Sequence, residues 1–204
     1  MLLRSIPREE NEPMRWMLIV AAAAALAGTS YACGSPASPS GTGTLNLMIK
    51  DSPYSDAKAL LVTFSEVSAH KSESGEGRTN LAFAAAATSR TCDLKKLVDA
   101  QDVLGVGTLA EGHYTMIRLV VSSATLYFEN PSTGPACAPT ITAPAGRSAS
   151  LTIPSGEVKL NRGFDVATTG ATTILIDFDG ERSVVELGNG GYRMTPVIGV
   201  VSVQ

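Results

Sequence analysis

From Thr44 onward, hydrophobic and polar residues tend to alternate with a period of two, the spacing that puts successive side chains on opposite faces of a strand. Leu45, Leu47 and Ile49 alternate with Asn46, Met48 and Lys50, which predicts a first strand buried on one face. Asp51-Ser52-Pro53 then breaks it. Ala59 to His70 reads as a longer strand in which Val62 and Phe64 share a face. Its phase changes near Glu66–Val67, the mark of a bulge or of a bend between sheets. Glycine and charge between Ser72 and Arg78 predict a turn. Leu109-x-x-Gly112-x-Tyr114 opens a run to Glu129 that places Tyr114, Met116, Arg118 and Val120 on one face. Ile117, Leu119 and Val121 fall on the other, so this strand is apolar on nearly both faces and is expected mid-sandwich. Further strands are predicted at Ser150–Ile153, Phe164–Ala167, Thr172–Asp179 and Pro196–Val203. Turn signals at Asn161-Arg162-Gly163, Asp179-Gly180 and Asn189-Gly190-Gly191 separate them.

Asp93 to Ala100 is the one helical candidate, about two turns long, with Asp93 as cap and Leu94, Leu97 and Val98 on one face. No helices alternate with the strands, so a parallel α/β sheet is not expected. Roughly seven or eight short strands with turns between them predict an all-β fold over residues 44–204. The expected architecture is an antiparallel β-sandwich with Greek-key connections, transthyretin- or immunoglobulin-like, carrying one short helix.

The pattern before Thr44 is different. Met17 to Ala27 is an unbroken apolar run of about eleven residues, too short for the roughly twenty needed to cross a bilayer and suited to a signal-peptide core. Arg15 supplies positive charge ahead of it. Glu9, Glu10 and Glu12 outweigh Arg4 and Arg8 further upstream, so Met14 reads as the better start than Met1. The run ends in Gly28-Thr-Ser-Tyr-Ala32-Cys33-Gly34-Ser35, which resembles a bacterial lipoprotein signal, with Cys33 acylated as the mature N-terminus. Ser30 stands where Leu is usual. Ser30-x-Ala32 also satisfies the small-x-small rule of ordinary signal peptidase, which would cut at the same bond. Residues 1–32 are thus expected to be a signal peptide. Residues 33–43, rich in Ser, Pro and Gly, have nothing apolar to bury and read as a flexible tether. The expectation is an exported protein of the bacterial envelope, held by lipid, with the outer membrane as its site.

Composition narrows the reading further. The chain has 204 residues and a net charge of -3, and after the leader and tether about 160 residues remain, enough for one domain with a real core. Its lysines and arginines are scattered, with no aromatic-basic stripe to suggest nucleic acid. Three cysteines are present, Cys33, Cys92 and Cys137, at spacings that fit no CxxC site. With Cys33 used in processing, Cys92 and Cys137 either pair or stay as free thiols, and an oxidising compartment favours pairing.

Candidate chemistry is sparse. Asp177, Asp179 and Glu181 are expected on one side of a strand whose Ile174, Ile176 and Phe178 face the core. Three carboxylates at a turn suit calcium, with Asp51 or Asp56 nearby. The EF-hand spacing is absent, however, and any surface strand has a polar outer face. His70 and His113 are the only histidines, and zinc would need both plus a carboxylate to converge. No G-x-S-x-G nucleophile elbow occurs. Asp165 and Asp177 suggest a glycosidase pair only by being acidic. Trp16 lies in the leader, so Tyr54, Tyr114, Tyr127 and Tyr192 are left as sugar platforms or, more simply, as packing residues. No catalytic set emerges, and no cofactor is expected beyond calcium.

Several ordered segments together resemble the bacterial DUF4382 family, a family without an assigned activity. They are Leu45-Asn-Leu-Met-Ile-Lys-Asp51-Ser-Pro53, Val62-Thr-Phe-Ser-Glu-Val67-Ser-Ala-His70, Asp93-Leu-Lys-Lys-Leu97 and Leu109-Ala-Glu-Gly112-His-Tyr114-Thr-Met-Ile-Arg118-Leu. Phe164-Asp-Val, Ile174-Leu-Ile-Asp177-Phe-Asp179 and Tyr192-Arg-Met-Thr-Pro196-Val complete the set. The resemblance covers residues 44–203 and implies an envelope domain, often lipoprotein-linked. The Leu-x-x-Gly-x-Tyr segment alone also looks like the transthyretin-like sandwiches of surface adhesins, some of which carry a Lys–Asn crosslink. The last predicted strand here, Pro196–Val203, has no Asn or Asp to supply one. The function expected is a non-enzymatic, lipid-anchored structural or interaction module whose partner is an envelope protein. A polysaccharide-binding module, calcium-assisted or not, is the alternative.

Overall fold

The computed structural model describes residues 41–52, 54–71 and 77–204. The signal peptide, Cys33 and nearly all of the tether expected from the sequence lie outside these residues, as do Pro53 and most of the Ser72–Arg78 turn.

Fourteen strands, numbered in chain order, are found among the described residues. They are β1 (Thr42–Ser52), β2 (Ala59–Lys71), β3 (Arg78–Asn80), β4 (Arg90–Asp93), β5 (Asp102–Ala110), β6 (Gly112–Tyr127) and β7 (Cys137–Ala138). Then follow β8 (Ser148–Thr152), β9 (Glu157–Leu160), β10 (Phe164–Val166), β11 (Ala171–Asp179), β12 (Val184–Glu186), β13 (Tyr192–Met194) and β14 (Ile198–Val203). A four-stranded sheet runs β14-β11-β1-β5. A ten-stranded sheet runs β12-β13-β8-β6-β2-β4-β7, with β9 and β10 also on β6 and β3 on β2.

The expected sandwich is therefore present, built from two open sheets. Leu45, Leu47 and Ile49 of β1 and Ile174, Ile176 and Phe178 of β11 are buried, and they share one core with Val62, Phe64, Val67, Ile117, Leu119 and Val121 of the larger sheet. Phe64 and Phe178 meet edge-to-face across the core with ring centroids 6.3 Å apart, a geometry that favours the aromatic quadrupoles. The sheets are mixed, not purely antiparallel. β1 pairs parallel with β11, Leu47 opposite Ile174, and β8 pairs parallel with β13. A parallel pair needs a long crossover, and here the chain between β1 and β11 supplies it by building most of the larger sheet.

Register explains the phase changes. In β2, Phe64 lies opposite Val121 while Glu66 lies opposite Val120, so Ser65 is the extra residue. Buried positions then shift from Val62 and Phe64 to Val67 and Ala69. Of the bulge or bend expected near Glu66–Val67, the register shows a bulge, at Ser65. In β6 two such irregularities occur, and the second leaves Thr115 unpaired between Tyr114 and Met116. Tyr114 consequently lies on the buried side with Ile117, Leu119 and Val121, and not with Met116, Arg118 and Val120, which are half-buried on the outer face. One face of β6 makes the core.

The expected helix at Asp93–Ala100 is reduced to a single 3-10 turn, Leu94–Lys96. Asp93 ends β4, and its carboxylate accepts from Lys95 N–H as a cap, but also from Leu60 N–H (3.1 Å) and Ser132 Oγ (2.5 Å). Those ties hold the turn against β2, leaving Leu94 and Leu97 buried and Val98 exposed. The α-helical turn, α1 (Gly180–Ser183), forms instead where a plain turn was expected after β11. β5 was not anticipated. Its Gly105 and Gly107 leave the room into which Leu81 packs.

Candidate functional site

The carboxylates singled out in the sequence gather at the end of the four-stranded sheet where β1 and β11 finish side by side, Ser52 opposite Asp179. Alternation along β11 puts Ile176 and Phe178 inward and Asp177 outward, and parallel pairing sets Asp177 opposite Lys50. Its Oδ2 lies 3.4 Å from Lys50 Nζ and accepts from Ser52 Oγ. Asp179 Oδ1 caps α1 by accepting from Arg182 N–H at 2.9 Å. Glu181 sits on α1 and reaches away, accepting from Ser55 N–H at 3.1 Å. Because the chain turns helical at Gly180, Glu181 no longer follows the strand's alternation. The three acids are neighbours with three separate sets of partners. Among the described residues no three His, Cys, Asp or Glu side chains form a group that could hold a metal ion.

Asp51, on the core face of β1, is the most perturbed of these acids. It is 3% exposed, its Oδ1 accepts from Gly180 N–H at 3.2 Å, and its Oδ2 has no partner among the described residues. Burial pushes its carboxyl up to about 8; the Gly180 N–H and Lys95 oppose the rise, and Asp177 and Asp179 add to it. Asp51 is therefore protonated at neutral pH, a neutral acid closing the end of the core.

The histidines are apart in role. His113 Nδ1 lies 2.8 Å from Asp165 Oδ1 on the exposed rim where β6 meets β10. His70 stands beside Ser68 on the outer face of the larger sheet, where burial, then Arg78 and Arg118, hold it below the usual histidine range. On that face Arg118 bridges Glu66 (2.8 Å) and Glu157 (2.6 Å), and Arg78 and Lys159 complete the network. Its hydrogen bonds from Arg118 and Lys159 pull Glu157 down to about 2. Asp165 and Asp177 do not pair: the Asp165 carbonyl accepts from Thr172 at the start of β11, and Asp177 lies five residues further, about 16 Å along the strand. The two carboxylates also have different partners, His113 Nδ1 for Asp165 and Lys50 Nζ and Ser52 Oγ for Asp177.

Of the tyrosines, Tyr54 and Tyr114 are buried. Tyr192 is half-buried and packs on Phe128, whose other neighbour is the guanidinium of Arg147, 4.0 Å from the ring centroid.

Cys92 and Cys137 form a disulfide that joins β4 to β7, directly opposite each other in register. Such a bond belongs to an oxidising compartment.

The sheet edge formed by β14 has no local signal in the sequence. This strand hydrogen-bonds to β11 on one side and, among the described residues, to no strand on the other. Its sequence, Ile198-Gly-Val-Val-Ser-Val203, has no charge and no proline, and Val201 is 51% exposed at a bulge opposite Leu175–Ile176. The other end strands of the two sheets, β5, β12 and β7, are better protected. β5 is bridged at its midpoint by two backbone hydrogen bonds between Val106 and Ala82, while β12 and β7 are three and two residues long. The missing signal was contextual: periodicity marks Pro196–Val203 as a strand but does not say which strand lies at an edge.

Two open sheets around one core, the larger carrying a disulfide between neighbouring strands, define a β-sandwich domain. The chain belongs to the DUF4382 family, described as a domain of unknown function, whose model matches residues 42–196. No curated protein and no solved structure matches the chain.

Proposed function

We propose that this is a non-enzymatic envelope domain, lipid-anchored through Cys33, that recognises a protein partner by taking an extended segment of it as an added strand on β14. The observation that carries the reading is the bare edge itself. An unpaired row of backbone N–H and C=O groups on an uncharged strand is a template for β-augmentation, and natural sheets ordinarily protect such an edge with charge, proline or a covering loop. β14 has neither charge nor proline, and its protection is limited to the bulge at Val201 and the end of β9 alongside. The anchor reading rests on the small residue before Cys33 and the Ser/Pro/Gly tether after it.

The test is site-specific photo-crosslinking in intact cells, with a photoreactive residue replacing Val201 on β14 or, as controls, Val98 or Val185. Discrete protein adducts at position 201 alone are the expected result. Adducts equally at all three positions, or at none, would overturn the edge reading. Metabolic labelling with a fatty acid, lost in Cys33→Ser, tests the anchor separately.

A further inference from the structure

The edge of β14 does not face open solvent alone. A groove of about 360 Å³ runs beside it, lined by Ile198 and Val200 of β14 and by Lys159, Leu160, Asn161 and Arg162 at the end of β9. Its floor is aliphatic and its rim carries two cations and no anion. The cations differ in availability: Lys159 Nζ is 2.9 Å from Glu157 Oε1, whereas Arg162 is exposed and in no ion pair among the described residues. An added strand on β14 would run past this rim with every second side chain directed toward it, since strand side chains alternate with period two.

We infer that the segment β14 accepts is acidic: an extended peptide of a protein partner, aliphatic at alternate positions, carrying an Asp or Glu side chain or a terminal carboxylate that pairs with Arg162. This rests on the edge reading above and specifies its ligand. A guanidinium offers a carboxylate two parallel N–H donors, and a pair lodged beside an aliphatic groove is less screened than one in open solvent. The choice of a foreign segment over a second copy follows from topology. β1 is parallel to β11 and β11 antiparallel to β14, so the chain enters at Thr42 near the Val203 end of β14. Two copies joined edge to edge by a two-fold axis would pair β14 antiparallel, and their Thr42 ends would point to opposite ends of the joined sheet. Two anchors on one membrane do not suit that arrangement.

The experiment repeats the crosslinking at position 201 in the full exported chain, in Arg162, Arg162→Lys and Arg162→Glu backgrounds, with the crosslinked peptides sequenced. Adduct yield is expected to fall about tenfold in Arg162→Glu, the scale of one favourable charge pair reversed, and to be largely kept in Arg162→Lys. The captured segment is expected to hold Asp, Glu or a chain terminus within a few residues of the crosslink. Yield unchanged by Arg162→Glu, or a captured segment that is neutral or basic, overturns the acidic assignment and leaves the edge reading standing. Adducts of twice the chain's mass, mapping to β14 itself, replace the foreign partner by a second copy. Absence of adducts at 201 in every background removes the edge reading and this inference with it.

Discussion

The hydroxyl of Tyr114 donates to the carbonyl of Ala110, four residues upstream, at 2.9 Å. This closes the corner where the chain leaves β5 in the four-stranded sheet and enters β6 in the larger one. Gly112 turns that corner at φ +133°, a backbone conformation open to glycine. The Tyr114 ring stacks on Phe164 of β10, with centroids 5.3 Å apart. Leu109-x-x-Gly112-x-Tyr114 is thus a device for passing a chain between sheets, with the buried leucine and tyrosine holding either side of a glycine turn.

Tyr114→Phe keeps the ring and removes the hydrogen bond, so a loss of about 1–2 kcal/mol in urea unfolding is expected. Gly112→Ala is expected to cost as much or more, since alanine is strained at that φ, whereas its Cβ meets only the movable end of Lys71. A negligible loss in both would mean that the corner does not hold the sheets together.

Cys92 and Cys137 close a loop with a sequence separation of 45. In the chain-entropy model this stabilises the fold by on the order of 4 kcal/mol. The double serine variant, or the wild-type chain in reductant, is expected to unfold at markedly lower denaturant. Thiol titration of the unreduced protein after unfolding should find neither Cys92 nor Cys137 free.

Asp51 makes stability fall with rising pH. Folded, it keeps its proton to about pH 8, whereas an unperturbed aspartate releases it near 3.8. Between those values the folded state binds more protons than the unfolded one. The contribution is therefore fully present below about pH 4 and lost as pH climbs toward 8, with a slope of at most about 1.4 kcal/mol per pH unit. Asp51→Asn should remove this part of the slope and be relatively more stable at pH 8 than at pH 4. Parallel pH profiles for the two proteins would show that Asp51 titrates normally.

Asp177, Asp179 and Glu181 already hold Lys50, Arg182 N–H and Ser55 N–H, respectively. Millimolar calcium is therefore expected to leave the melting temperature unchanged. A rise of several degrees, abolished by Asp179→Asn, would mean that these side chains regroup around the ion.

Phe178 is fully buried and is the aromatic link from β11 to Phe64. Phe178→Ala is expected to cost about 3–5 kcal/mol, a large share of a domain's stability. Phe178→Leu should cost clearly less. Denaturant midpoints of the two variants check this.

Local pattern alone determined much of this protein. Alternation in Leu45–Ile49 and Ile174–Phe178 marked the two central strands of the small sheet and their buried faces, because a strand's period of two is written into adjacent residues. The phase change at Glu66–Val67 announced a bulge or a bend for the same reason, while cysteine arithmetic left Cys92 and Cys137 to pair or to stay free. The order of motifs carried the family. Tertiary structure decided what depends on residues distant in sequence. The parallel pairing of Leu47 with Ile174 has no local signal, and neither has the burial that keeps Asp51 protonated beside Gly180. Asp93 looked like the cap of a longer helix because its ties to Leu60 and Ser132 cannot be read from neighbouring residues. β5 was hidden by Gly105 and Gly107, which weaken strand propensity and make sense only once Leu81 is seen packed on them. The bare edge of β14 is the extreme case: an edge is defined by which strand is absent from its far side, a property of the whole sheet and of no segment within it.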